Sequence, residues 1–241
     1  KIGQFEPNIQ VYPTTSIFEY GLDWAVTLKI SIPDDLISGL YGVRLTVKDV
    51  NEAIIPIIVK RTKGSGVNPI LVVGNTFTWH ANNTFGGKSR YRDLRSFQEL
   101  ESGIFLKFKR GVNRLVNYFF KFNRDKPTPN QIVFSRDRPL VGMGLNNVGT
   151  PYESYQSHLA GGEWRLLAWL EKNDILFDYF ADADLEDLPS ILENYNTVIL
   201  NTHAKYWGEN AAKTLLNLHR NSELNILNFG GNAIFDFMET L

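Results

Sequence analysis

The chain has 241 residues, 43% of them hydrophobic and 13% aromatic, with 25 basic against 26 acidic residues and no cysteine. A formal charge of −1 supplies no bulk field for nucleic acid or an anionic membrane. Without cysteine there are no disulfides, thiolate metal sites or cysteine nucleophiles, and no run of 18 apolar residues offers a bilayer span.

Residues 9–61 read as β structure. "VTLKISIP" (26–33), "YGVRLTVKD" (41–49) and "AIIPIIVKR" (53–61) are β-branched, roughly alternating and separated by turn residues. A small sandwich or antiparallel sheet is expected, forming a domain over 1–62 that ends at the joint "TKGSG" (62–66). From Asn68 the pattern changes. "NPILVVGN" (68–75) reads as a buried strand. "GIFLKFKRGVNRLVNYFFKFNR" (103–124) interleaves lysine and arginine with apolar residues, and its charges are expected to be solvated while its apolar face packs on the core. "GGEWRLLAWLEKN" (161–173) has a one-sided helical spacing. Then follow a strand at 174–180, a short helix at 188–195, a strand at 197–201, a helix at 209–220 and a strand at 224–230. Strands alternating with helices predict an α/β domain over 63–241 with a mostly parallel sheet and flanking helices. The chain starts at Lys1 and ends "FDFMETL". It therefore reads as part of a longer protein, with further segments or a second copy as expected partners. Cytoplasm is the preferred compartment.

Ligands of open α/β sheets bind beyond the carboxyl ends of the strands. "GNTFTWHANN", "ADADLED", "NTHAKYW" and "FGGN" all follow strands and should gather on that edge. The candidate residues there are His203 and Lys205, then Trp79, His80 and Asn82, then Asn232, whose "FGGN" supplies backbone donors. His203 reads first as a hydrogen-bonded residue at a strand end and second as a ligand or base. "DADLED" (182–187) reads as a helix start with acidic first-turn residues rather than a calcium loop. Glu163 opens the 161–173 helix, where a negative charge suits the helix dipole. His158 and His219 read as surface or packing residues, and Trp79, Trp164 and Trp207 leave a carbohydrate ligand open.

Taken in order, these pieces resemble the large, catalytic subunit of N,N-dimethylformamidase and its bacterial relatives. "SGLYGVRL" (38–45) and "IPIIV" (55–59) look like that family's leading β domain. "TFTWHANNTFGGKSRY" (76–91) is similar to its T-x-x-A-Y-N-x-x-G-G-x-S-x-Y loop, and "FSRDRP" (134–139) to its S-F-D-R-P segment. "EWRLLAWLEKNDILFDYFADADL" (163–185), "THAKYW" (202–207) and "GGN" (230–232) complete the series. The resemblance implies a core like that of class I glutamine amidotransferases, an iron held by Tyr, His and Glu, and hydrolysis of small amides. Carried over, His203 matches the histidine ligand, Tyr152 or Tyr155 the tyrosine, and Glu163 borders the site. The glutamate falls on Lys205, and Asn82 stands for the tyrosine of A-Y-N.

An ammonium in place of a carboxylate works against a bound cation. Two unit charges about 4 Å apart interact by roughly 4 kcal/mol at an effective dielectric near 20, and a dication doubles that. Iron held as in the family is therefore doubtful unless Glu209, one helical turn on, supplies the missing ligand. Lys205 reads instead as a solvated residue at a helix start, or as a base or nucleophile of lowered pKa. Three functions stay open: a hydrolase of amide C–N bonds centred on His203, a non-catalytic relative that binds a small molecule or carbohydrate or acts as a scaffold subunit, and an enzyme of another class.

Overall fold

The computed structural model describes residues 17–22, 24–26, 28–46, 53–61, 66–86, 89–91, 135–140 and 159–238. The basic stretch 103–124 and Tyr152, Tyr155 and His158 lie outside them. The chain divides into two compact units. The first holds 1–10, 24–79 and 142–238, and the second 11–23, 80–141 and 239–241.

In chain order, α1 (Ile17–Tyr20) belongs to the second unit. β1 (Gly39–Leu45) and β2 (Ala53–Val59) of the first unit pair antiparallel, with Pro56 opposite Gly42. A proline fits here because a two-stranded ribbon leaves each strand an unpaired edge. The strand expected over 26–33 does not form among the described residues. Leu28 and Ile32 are exposed there, so the alternation has no apolar face to bury.

β3 (Ile70–Gly74) leads into α2 (Thr76–Asn82), and α3 (Ala160–Lys172) leads into β4 (Asp178–Ala181). α4 (Asp182–Asp187), a 3₁₀ turn (Pro189–Asn194), β5 (Thr197–Leu200), β6 (Tyr206–Trp207), α5 (Glu209–Arg220), β7 (Asn225–Asn228) and β8 (Asp236–Phe237) complete the order. β4-β3-β5-β7 form one sheet, parallel throughout, so the fold is α/β with a small antiparallel β part.

The two central strands, β3 and β5, are apolar on both faces, as strands covered on both sides require. Leu71, Val73, Phe180, Val198 and Leu200 share one face and pack with Leu185, Leu192, Trp207, Ala211 and Leu215 from α4, the 3₁₀ turn, β6 and α5. Val72, Tyr179 and Ile199 are in register on the other face. Tyr179 reaches Glu163 of α3 from that face, which locates α3 there. β1 and β2 join the same unit through Ser38, whose hydroxyl donates to the Tyr179 carbonyl, and through a Lys60–Asp184 ion pair of 2.8 Å. Among the described residues, no helix is long and apolar enough to cross a membrane.

Candidate functional site

The chain leaves β3 toward β4 on one side of the sheet and leaves β5 toward β7 on the other. Outgoing connections that diverge in this way open a crevice at the carboxyl ends of the two central strands. Asn75 follows β3 there, and Asn201, Thr202 and His203 follow β5.

Beside this crevice sits a carboxylate buried to 1% exposure, Glu163. Its Oε1 accepts from Trp79 Nε1 at 2.8 Å and from Asn75 Nδ2 at 3.0 Å. Its Oε2 accepts from the Tyr179 hydroxyl at 2.5 Å and from the Asn75 backbone N–H at 3.3 Å. Burial pushes the Glu163 carboxyl up to about 7, against the pull of those hydrogen bonds. The Tyr179 hydroxyl is held well above its usual range, by burial first and then by Glu163. The same Asn75 amide also donates to the Asn201 carbonyl at 2.8 Å and to Thr202 Oγ1 at 3.2 Å. One side chain thus links α3, the end of β3 and the end of β5.

A second enclosed carboxylate, Asp182, accepts from Thr76 Oγ1 at 2.5 Å and from the backbone N–H groups of Phe77 at 3.1 Å and Ala183 at 2.9 Å. It satisfies orphan donors at the start of α2 as a capping residue does, although it comes from the start of α4 and not from the residue preceding α2. Burial raises its pKa well above the ordinary carboxylate value. This contact turns the segment after β3, expected as an edge loop, into a helix. It also corrects the reading of "DADLED": the helix starts at Asp182 as expected, but its first carboxylate points into the protein.

His203 is half-buried in the β5–β6 loop, with Nδ1 3.2 Å from the Gly231 carbonyl. Lys205 sets its Nζ over the rings of Phe235 at 5.0 Å and Tyr206 at 5.4 Å, within cation–π range. The backbones of 200–207 and 229–238 run together through Phe229 N–H to Leu200 O (2.8 Å), Gly231 N–H to Thr202 O (3.2 Å) and Ile234 N–H to Ala204 O (2.8 Å). Thr202 and Ile234 are both left-handed, with φ of 55° and 50°. Such values are outliers for β-branched residues and mark a backbone held by its surroundings. Gly230 is required here, because a Cβ would overlap the Thr202 carbonyl.

Trp79 and Glu163 are therefore brought into contact, and His203 lies on the loop leaving β5 beside the Gly230–Gly231 turn. Asn232 is exposed and left-handed, with φ of 56°. The division between units falls inside α2, between Trp79 and His80. In the second unit, Arg138 donates to the carbonyls of His80 (2.7 Å), Phe85 (3.2 Å) and Asn83 (3.4 Å). His80 is lowered to about 4, by burial first and then by Arg138 and Arg136, so its ring is neutral at pH 7. Asn82 is buried at the end of α2. Asn75, Tyr179 and Asn201 carry no motif in the sequence. Only their places at strand ends hinted at them, and Tyr179 reads there as an ordinary core aromatic. A cleft of about 260 Å³ at the opposite end of the sheet is lined by Leu192, Tyr195 and Leu224 with the exposed Glu193 and Glu223. The Tyr195 hydroxyl there is engaged by Asp178 at 2.9 Å. Among the described residues, no three His, Asp or Glu side chains gather as a metal ion would require.

A family model described as N,N-dimethylformamidase beta subunit-like, C-terminal, matches residues 2–239. No match is found among curated proteins.

Proposed function

The chain belongs to the N,N-dimethylformamidase beta subunit-like family, and from that premise we propose that it binds small amides at the carboxyl edge and hydrolyses their C–N bond. The observation that carries this reading is the family's histidine, His203, standing on the loop that leaves β5 at the crevice. The reading extends to kinship with the family's large subunit, to an amidotransferase-like core and to assembly with further chains, supported by the all-parallel sheet and by "subunit" in the family description.

The resemblance implies iron, but among the described residues the donor set at this edge does not fit it. Lys205 brings an ammonium to the glutamate's place, and that ammonium stands over two aromatic rings. The proposed hydrolysis runs on the chain's own groups. A ring nitrogen of His203 takes a proton from water, whose oxygen adds to the amide carbon. The C–N bond then breaks, its electron pair leaves with nitrogen, and His203 returns the proton to the departing amine. General-base catalysis of this kind supplies about 10²–10⁴-fold. Glu163 does not meet the substrate; it positions Asn75, and through it the ends of β3 and β5.

The second reading, a binding protein without hydrolysis, is favoured by Lys205 alone. Amine release from formamide, acetamide and N,N-dimethylformamide, measured for the wild type and His203→Ala, decides between them. Release that falls at least 100-fold in His203→Ala supports the hydrolase. No release from any of the three by the wild type refutes it and leaves the binding protein.

A further inference from the structure

A lysine side chain is ordinarily a loose, solvated cation, but the surroundings of Lys205 fix where its charge stands. Its backbone N–H and that of Tyr206 donate to Thr78 Oγ1 at 3.2 and 3.3 Å. Its carbonyl accepts from the Phe235 N–H at 2.9 Å and from the Asp236 N–H at 3.2 Å. Its Nζ stands over the Phe235 and Tyr206 rings, at 5.0 and 5.4 Å. That attraction holds the ammonium at this edge without neutralising it. All of these partners belong to the first unit.

His203 is two residues away, so the two Cα atoms are at most about 7 Å apart. Ala204 between them is 2% exposed, whereas His203 and Lys205 are both half-buried. The segment thus turns Ala204 inward and leaves its two flanking side chains on the outer side. The Phe235 ring beside Lys205 is 61% exposed. Within the reach of one small ligand, this stretch presents the imidazole assigned to the reaction, a fixed positive charge and an open apolar surface.

A fixed cation beside a reacting centre raises the local concentration of anions. We propose that Lys205 determines specificity by receiving a carboxylate carried by the substrate, so that the preferred ligands are amides with an anionic group on a nitrogen substituent. This rests on the amide reading above and narrows it. Lys205 reads the substituent and not the amide nitrogen, so N,N-dialkyl amides stay within the class. A glutamate at this position, as in the family pattern, would repel the same substrate. The bond that breaks is unchanged: water adds to the formyl carbon of N-formylsarcosine, the C–N bond breaks, and formate and sarcosine result.

The test compares N-formylsarcosine with N,N-dimethylformamide, which differ by the carboxylate alone, by titration calorimetry and by the His203 ring resonances of the labelled protein. The carboxylate form is expected to bind about tenfold more tightly and to shift the His203 resonances saturably. Lys205→Met keeps an apolar stem on Phe235 and is expected to lose that preference, whereas Lys205→Arg keeps it. Equal binding of the two amides by the wild type overturns the proposal. So does a folded Lys205→Met with the wild-type preference, or tighter binding that leaves the His203 resonances unmoved. Should Lys205→Met not fold, the two amides on the wild type still decide. Preferential binding of N-formylsarcosine without release of sarcosine refutes hydrolysis and leaves the role of Lys205 standing. Amine release from both at equal affinity and equal kcat/KM refutes that role and leaves hydrolysis standing.

Discussion

Glu163→Gln separates what the buried carboxyl does by its shape from what it does by its charge. Glutamine keeps one oxygen for Trp79 Nε1 and Asn75 Nδ2. Its NH₂ would face the Tyr179 hydroxyl, which can turn to accept, and the Asn75 backbone N–H, which cannot. The geometric loss is therefore one long hydrogen bond, about 1 kcal/mol. The charge effect depends on pH. Burial raises the carboxyl from 4.5 to about 7. Between those values the folded state keeps a proton that the unfolded chain has released, so wild-type stability falls as pH rises through this window. At about 1.4 kcal/mol per tenfold in proton affinity, the whole interval amounts to about 3 kcal/mol. Urea unfolding of both proteins from pH 4.5 to 8 isolates the group, because other titrations largely cancel in the difference. The wild type should be the more stable protein at pH 4.5, and its advantage should shrink or reverse by pH 8. A stability difference that stays constant with pH, or grows in favour of the wild type as pH rises, would refute the burial argument.

Gly74→Ala would place a Cβ 2.7 Å from the Tyr179 hydroxyl and 3.0 Å from Ile58 Cδ1. A loss of about 1–3 kcal/mol in thermal or urea unfolding is expected from that overpacking. Arg138→Lys exchanges a forked donor that binds the carbonyls of His80, Phe85 and Ser135 for a single ammonium. It should cost about 2–3 kcal/mol in urea unfolding. Lys205→Glu restores the carboxylate of the family pattern, and elemental analysis of protein purified without chelator should find more iron or zinc than in the wild type. Equal metal in both would show that charge at this position does not control binding. Gly230→Ala should destabilise the 229–238 turn against Thr202, seen as faster amide exchange at Gly231 and Ile234.

The local pattern of the sequence determined the elements and much of the edge. Apolar, β-branched runs at 70–74 and 197–200 read as strands buried on both faces, and the one-sided spacing of 161–173 gave α3 within a residue at each end. Strand–helix alternation alone placed His203 and Lys205 just past a strand. The strand at 26–33 failed because alternation is a condition for burial and not a cause of it. Tertiary structure alone decided which residues at the edge meet. Glu163, Asn75, Tyr179 and Asn201 lie on four separate segments, and their contacts span 16 to 126 positions of sequence. No short-range signal encodes such a pairing. Asp182 and Glu163 read as first-turn acids, and helix-start chemistry is the same whether the carboxylate faces water or the core, so their enclosure was not legible. What puts them inside is tertiary packing, in which α2 supplies the Thr76, Phe77 and Trp79 donors and β4 the Tyr179 donor that make burial of a carboxyl tolerable.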